Sequence, residues 1–338
     1  MRFKLEDSSA YIKKAYDLFI CSASYETRCL SFVRNCPAGR LGLALLCYMK
    51  EFKDNISENL CSMRNALHDI TRETEEVSLS QNDPIFSTDI FIDKLSNIYQ
   101  NKKIKSVLFD VTTFTHEMVL IILRVFNVLF PQIDITFVYS NADNYDPKNT
   151  REGNDVKSKW LSKGISEIRS VVGYPGNPQP INPTHLIIVV GYEYDRALSI
   201  IAELEPSSLS LAFGKSDSVT TTSDRDSKHY GAKEHFNELT ESALAYFPDN
   251  KFHNFEISCD DPIKTKNEIF EHLRLMGIDT TKTNVMIFAL NNKPSTLGIG
   301  LVGIEDQNIQ LGYAPALVYN CQNYSSPGQY SYFFENIL

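Results

Sequence analysis

Residues 77–85 read Val-Ser-Leu-Ser-Gln-Asn-Asp-Pro-Ile, and residues 255–263 read Phe-Glu-Ile-Ser-Cys-Asp-Asp-Pro-Ile, at an offset of 178. Each passage reads as the end of a strand turning into a helix. The match continues without a gap: Phe91, Ile92 and Leu95 fall on Ile269, Phe270 and Leu273, the apolar spacing of one helix face. Working outward, Tyr16–Leu30 resembles Thr184–Leu198, with Arg28 on Arg196. Phe109–Leu123 resembles Phe288–Val302. Val138-Tyr139 followed by Asn144-Tyr145 resembles Val318-Tyr319 followed by Asn323-Tyr324. Ordered matches of this kind predict an internal duplication, with two copies of one domain forming a pseudo-dimer around a cleft.

The pattern around these passages sets the fold class. Buried-type runs Asp17–Ser22, Leu41–Tyr48, Val77–Ser80, Ser106–Val111 and Ile133–Tyr139 predict strands in the first half. Helices are expected near 25–35, 52–71, 86–101 and 115–130. The second half repeats the alternation, with strands Leu186–Val190, Leu209–Phe213, Phe252–Ser258, Val285–Leu290 and Gly312–Tyr319. Its helices are expected near 194–204, 231–246, 262–276 and 294–305. Alternating strand and helix predicts an α/β protein with two tandem Rossmann-like, doubly wound, mainly parallel sheets. The expected boundaries are 1–150 for the first copy and 184–338 for the second. Between them, 151–183 forms a connector with a short strand or hairpin at Ile165–Val172, within a longer polar stretch, 141–183, rich in breakers. The stretch Lys215–Lys228 reads as a surface loop or a lid.

Composition narrows the function classes. The chain has 338 residues, 43% of them apolar and 22% charged, as in an ordinary globular protein. Its length suits two domains of ~150 residues. No apolar run approaches the ~20 residues that a membrane-spanning helix needs. The acid-bearing start Met-Arg-Phe-Lys-Leu-Glu-Asp has no apolar signal core, so a cytoplasmic protein is expected. The seven cysteines form no Cys-x-x-Cys pair and read as reduced, buried thiols rather than zinc ligands. A net charge of −9 argues against sequence-blind binding to a nucleic-acid backbone. No metal and no cofactor are expected. The chain has no Walker loop, no dinucleotide-binding glycine fingerprint and no nucleophile elbow, so no catalytic residue is assigned.

Ligands of doubly wound sheets bind at the carboxyl ends of the strands, above all where the strand order reverses. The residues following each strand are therefore the candidate binding set. After the first strand these are Ser22, Ser24, Tyr25, Glu26 and Arg28; after its counterpart they are Tyr192, Glu193 and Arg196, behind Gly191. Small residues let a ligand approach the backbone, and a helix start attracts anions. Each arginine could grip a phosphate or pair with the acid beside it. After the fourth strands come Asp110, Thr112 and Thr113, then Asn291, Asn292 and Lys293. Thr112, Thr113, Asn291 and Asn292 can equally cap the following helix. Tyr139 and Tyr319, with Tyr145 and Tyr324, could stack on bases or pack against neighbouring loops.

The order of strand, Asp110-x-Thr112, polar turn and apolar helix resembles the signature of CRISPR-associated Rossmann-fold (CARF) sensor domains. Asn292-Lys293-Pro294 resembles the second part of that pattern. Thr113 and Phe114 stand where the family has two glycines, and Ala289 stands where the first copy has Asp110. The resemblance implies a nucleotide-like ligand, such as a cyclic oligoadenylate, with hydroxyls and amides on its ribose and phosphate and Lys293 on a phosphate. It implies a regulatory or accessory subunit of a prokaryotic antiphage defence system, acting through a separate effector protein. Two alternatives stay open: an enzyme that cleaves a cyclic oligonucleotide or a nucleotide, resembling ring nucleases, and a non-catalytic assembly subunit that binds only protein.

Overall fold

The computed structural model describes residues 1–145, 160–215, 236–248 and 250–338. Its strands are β1 (Arg2–Lys4), β2 (Tyr16–Ala23), β3 (Leu41–Met49), β4 (Glu73–Leu79), β5 (Ser106–Asp110) and β6 (Asp134–Tyr145). They continue as β7 (Ser162–Lys163), β8 (Arg169–Pro175), β9 (Thr184–Val190), β10 (Ser208–Lys215) and β11 (Phe252–Ser258). Then come β12 (Asn284–Ala289), β13 (Gln310–Tyr313), β14 (Val318–Tyr319) and β15 (Ser325–Glu335).

The chain divides into two compact units. One holds Met1–Pro147 together with Cys321–Leu338, and the other holds Lys148–Asn320. This division differs from the expected boundaries. Residues 151–183, expected as a connector, fall in the second unit, where 160–183 supply β7 and β8. Residues 321–338, expected in the second copy, supply β15 to the first.

The first unit's sheet has the order β1-β15-β6-β5-β2-β3-β4. Strands β2 to β6 run parallel, β15 lies antiparallel on β6, and β1 lies antiparallel on β15. The second unit's larger sheet has the order β11-β10-β9-β12-β13-β8, parallel except for β8. Both parallel sets start at a central strand, run outward for two strands, then return to its other side. The order therefore reverses between β2 and β5 in one sheet and between β9 and β12 in the other. Two largely parallel α/β sheets of this order are compatible with Rossmann-like folds.

Continuous apolar runs explain why the central strands sit where they do. Leu18, Phe19, Ile20 and Cys21 are fully buried, as are Leu186, Ile187, Ile188 and Val189, so each central strand is covered on both faces. The helices Lys53–Ile70, Pro84–Asn101 and His116–Leu129 cover the first sheet. The second carries Tyr194–Leu204, 236–244, Pro262–Leu275 and Lys293–Glu305. The expected helix at 25–35 is a 3-10 turn, Thr27–Leu30, running into Ser31–Asn35. The exposed edge strand β4 carries Glu73, Glu75 and Glu76, paired with Lys102 (2.8 Å), Lys94 (2.6 Å) and Arg64 (2.7 Å). Charges along an edge discourage the addition of another strand.

The expected strand Gly312–Tyr319 is split. β13 ends at Tyr313, and Val318–Tyr319 pairs instead with Ser162–Lys163 in a separate ladder. In the hairpin region read at Ile165–Val172, the strand begins at Arg169. Most of the 215–228 loop and the first residues of the expected helix 231–246 lie outside the described residues. No helix among the described residues is long and apolar enough to cross a membrane.

Candidate functional site

In the first unit the carboxyl ends of β2 and β5 bring most of the candidate residues into one hydrogen-bonded network. The Thr113 hydroxyl donates to the Ser22 carbonyl (2.9 Å). Ser24 Oγ accepts from the Glu26 backbone N–H (3.3 Å), and the Asn59 amide donates to the Ser24 carbonyl (2.8 Å). Glu26 Oε2 receives Arg28 Nε (3.0 Å), Arg28 Nη2 (2.7 Å) and the Ser325 hydroxyl (2.5 Å). Arg28 also donates to Ser325 Oγ (2.9 Å) and to the Ser140 carbonyl (3.2 Å). Ser140 N–H in turn donates to Thr112 Oγ1 (2.9 Å), and Thr112 donates through N–H (3.0 Å) and hydroxyl (2.5 Å) to Asp110 Oδ1.

Burial sets the electrostatics of this network. It works against the Arg28 charge, but the adjacent Glu26 carboxylate outweighs it and the guanidinium is held firmly protonated. Burial pushes the Asp110 carboxyl up to about 6, against the pull of its Thr112 bonds and of Arg28. Burial, then the Tyr145 hydroxyl, raises the Tyr139 phenol well above its ordinary range, against the pull of the Arg28 charge. Tyr25 packs edge-on against Phe52 (5.3 Å) and Tyr324 (5.6 Å).

The second unit builds a matching ion pair from other parts of the chain. Glu193 Oε2 receives Arg196 Nη1 (2.5 Å), Glu193 Oε1 receives the Ser162 hydroxyl (2.5 Å), and Arg196 Nη2 donates to the Ala314 carbonyl (2.5 Å). Burial again opposes the arginine charge and Glu193 again outweighs it. Arg196 Nε is buried without a hydrogen-bond partner. Its guanidinium carbon lies 5.8 Å from the Tyr313 ring centre. Both acids are thus committed to their arginines, and each pair is 8% exposed or less.

Asn291 fills the reversal point of the second sheet. Its amide donates to the Val190 carbonyl (2.6 Å), and its Oδ1 accepts from Asn292 N–H (2.7 Å) and the Cys259 thiol (3.4 Å). Asn292 caps the helix Lys293–Glu305 through Ser295 N–H (3.1 Å) and donates to the Cys259 carbonyl (2.8 Å). A Cβ on Gly191 would stand 2.2 Å from the Leu290 carbonyl, and one on Gly214 2.2 Å from Cys259 Sγ. These glycines therefore admit the chain's own backbone and side chains. Lys293 is the half-buried first residue of its helix, Tyr192 is half-buried, and the Tyr319 hydroxyl accepts from Ala316 N–H (3.2 Å).

Sequence reasoning missed Ser140, Ser325, Ser162 and Cys259. The two serine hydroxyls that complete the ion pairs lie 299 residues from Glu26 and 31 from Glu193, with no local signal to mark them. Cys259 lay inside the repeated passage and could have been found there. The described residues contain no group of three or more histidine, cysteine or acidic side chains placed to hold a metal ion. What each carboxyl edge offers is a set of hydroxyls, amides and backbone groups beside an internally neutralised arginine.

No family model and no curated protein matches the chain. Among solved structures it is similar to an adenylation, ketoreductase and pseudo-Asub multidomain structure of a keto acid-selecting NRPS module. The identity is 9% and the TM-score 0.21, over 82% of this chain and 26% of that one. A likeness at that TM-score carries no argument about fold or function.

Proposed function

We propose that this chain is a regulatory or accessory subunit that binds a nucleotide-like ligand at the carboxyl edges of its Rossmann-like sheets. The observation that carries the reading is the gathering of Ser22, Thr113, Asp110, Thr112 and Arg28 where the strand order reverses. Such reversal points are where α/β sheets hold ligands. The CARF resemblance supplies the ligand class and the setting, a defence system with a separate effector. In this reading the Glu26–Arg28 and Glu193–Arg196 pairs shape the edges, and the hydroxyls, amides and Lys293 meet the ligand.

The same reading takes the units as divergent copies of one domain. Supporting it, Ser87 Oγ donates to the Ser80 carbonyl and Thr265 Oγ1 to the Ser258 carbonyl, both at 2.7 Å and at the 178-residue offset. Asp83 and Asp261, also at that offset, cap the helices that begin with Pro84 and Pro262.

A second reading, a non-catalytic assembly subunit, is favoured by the internal pairing of both arginines. A thermal-shift screen against mono-, di- and cyclic oligonucleotides, followed by mass spectrometry, separates the readings. A ligand at ~100 times its dissociation constant adds ~2.7 kcal/mol to the folded state. A shift with intact ligand is expected. A cleaved ligand would replace the sensor with an enzyme, and silence across the panel would leave the assembly subunit.

A further inference from the structure

The face of the second sheet beneath the helix Pro262–Leu275 carries a polar chain that the carboxyl edge does not use. His185 Nδ1 lies 2.7 Å from Ser208 Oγ, and His185 Nε2 lies 3.0 Å from Ser210 Oγ. On its other side Ser210 Oγ lies 2.8 Å from His272 Nε2. His185, Ser210 and His272 are 1%, 0% and 7% exposed. The Phe255 ring stacks flat on His272 at 3.8 Å, and the His253 ring centre is 6.5 Å away.

Ser210 has one hydroxyl proton and two ring nitrogens to serve. It can donate to one ring only, so the other ring must donate to it. If His185 Nε2–H donates, Ser208 donates to His185 Nδ1 and Ser210 donates to His272. The opposite ordering reverses every bond. In both orderings each ring carries one proton and is neutral. Protonating both rings would face two cations across one hydroxyl and leave that hydroxyl's own proton unused.

Among the described residues, no counter-charge acts on either ring. The charges acting on His185 are those of His272 and His253, and on His272 that of His253. β9 and β12 bring no other ionisable group, and Lys215 at the far end of β10 pairs with Glu256 of β11. On the helix, Glu268 receives Ser258 N–H, Glu271 pairs with Arg274, and Lys266 pairs with Glu305 of the neighbouring helix. Burial first, and the neighbouring rings second, push both histidines down to about 4.

We propose that Ser208, His185, Ser210 and His272 form an acid-sensitive latch, which holds the last turn of the helix Pro262–Leu275 on the second sheet while both rings are neutral and releases it when a ring takes up a proton. The folded rings hold a proton less well than free histidine. The latch is therefore closed above about pH 6.5, and its hold declines as the pH falls from there toward 4.

Hydrogen exchange of the full chain tests this, with each protection factor corrected for the intrinsic pH dependence of exchange. Between pH 7 and pH 5 the protection of 262–276 should fall about 20-fold for each ring released, while that of 84–101 holds. The variant His185→Gln/His272→Gln keeps amide hydrogen bonds without the charge, and its protection should stay level. Constant protection in the parent chain, or an equal fall in parent and variant, would overturn the latch. If the variant does not fold, ring titration by NMR in the parent decides: midpoints near 4 support the latch and midpoints near 6.5 refute it.

Discussion

Leu18 and Leu43 face each other across the first sheet where His185 and Ser208 face each other across the second; Leu45 likewise stands opposite Glu75 where Ser210 stands opposite His253. The central strand, its outer neighbour and the edge strand are in the same relation in both sheets. On the first, the layer is closed by leucines 6% exposed or less, and Lys94 on the covering helix pairs with Glu75 of the edge strand. On the second, the same layer is closed by two hydroxyls and a histidine, with His272 of the covering helix bonded to Ser210. Apolar burial is indifferent to pH, whereas the buried rings of the polar chain acquire charge as the pH falls. One strand order thus carries an unconditional layer and a conditional one.

The carboxyl edges compare the other way. There both units use one device, a buried glutamate–arginine pair closed by a serine hydroxyl and a backbone carbonyl. The units differ in completeness: Arg28 donates four hydrogen bonds, to Glu26 twice, Ser325 and Ser140, and Arg196 donates two, to Glu193 and Ala314. Removing one member of a buried pair strands the other charge, at about 3–5 kcal/mol. Arg28→Met and Arg196→Met should both fall in that range by chemical denaturation, with Arg28→Met the costlier. A larger loss at Arg196 would mean that hydrogen-bond number does not rank the two pairs.

The next effect separates the edges by pH. The first edge buries an acid, Asp110, where the matching stretch of the second unit has Ala289. Because Asp110 is pushed up to about 6 in the folded chain, that chain binds its proton more tightly than the unfolded one does. Stability therefore declines as the pH rises from about 4 through 6, by about 3 kcal/mol in all. Asp110→Asn keeps the Oδ1 acceptor that Thr112 N–H and hydroxyl use, and removes the charge. The variant should be more stable than the parent at pH 8, by up to about 3 kcal/mol, and the gain should vanish near pH 4. A difference between the two that ignores pH would place the Asp110 charge outside the stability of this edge.

What the residues revealed in advance follows the reach of each interaction. The helix starts at Asp83-Pro84 and Asp261-Pro262, the apolar runs of β2 and β9, and the alternation that makes a parallel α/β sheet are all local patterns, and they were legible. β15 was not, because Ser325–Glu335 finds its partners in β6, and Asn141 Oδ1 takes the Tyr330 N–H at a break in that register. Nothing within ten residues of either segment announces the pairing. The candidate residues of the first edge were legible as positions after strands. Their state was not, because whether an arginine is open to a ligand depends on Ser325, Ser140, Ser162 and Ala314, all remote in sequence. The His185–Ser210–His272 chain was not legible for the same reason, since a buried polar ring is explained only by the side chain it meets.

The smallest effect bears most directly on whether the units descend from one domain. Asp83 Oδ1 accepts Phe86 N–H (2.9 Å), while Asp261 Oδ1 accepts both Ile263 N–H (2.9 Å) and Lys264 N–H (3.2 Å). Proline follows each cap and needs no acceptor for a missing N–H, so the remaining orphan donors of the first turn depend on the aspartate. Behind each cap, Ser87 and Thr265 tie the helix back to the strand end at Ser80 and Ser258. A retained device should respond alike in both places. Asp83→Ala and Asp261→Ala should each cost about 1 kcal/mol, the second somewhat more for its additional bond. Denaturant midpoints at constant slope measure both on the same chain. Similar costs would make the 178-residue offset a relation of energetics as well as of sequence. If one cap proves silent and the other costs about 2 kcal/mol, the matched residues do unequal jobs and the kinship loses this support.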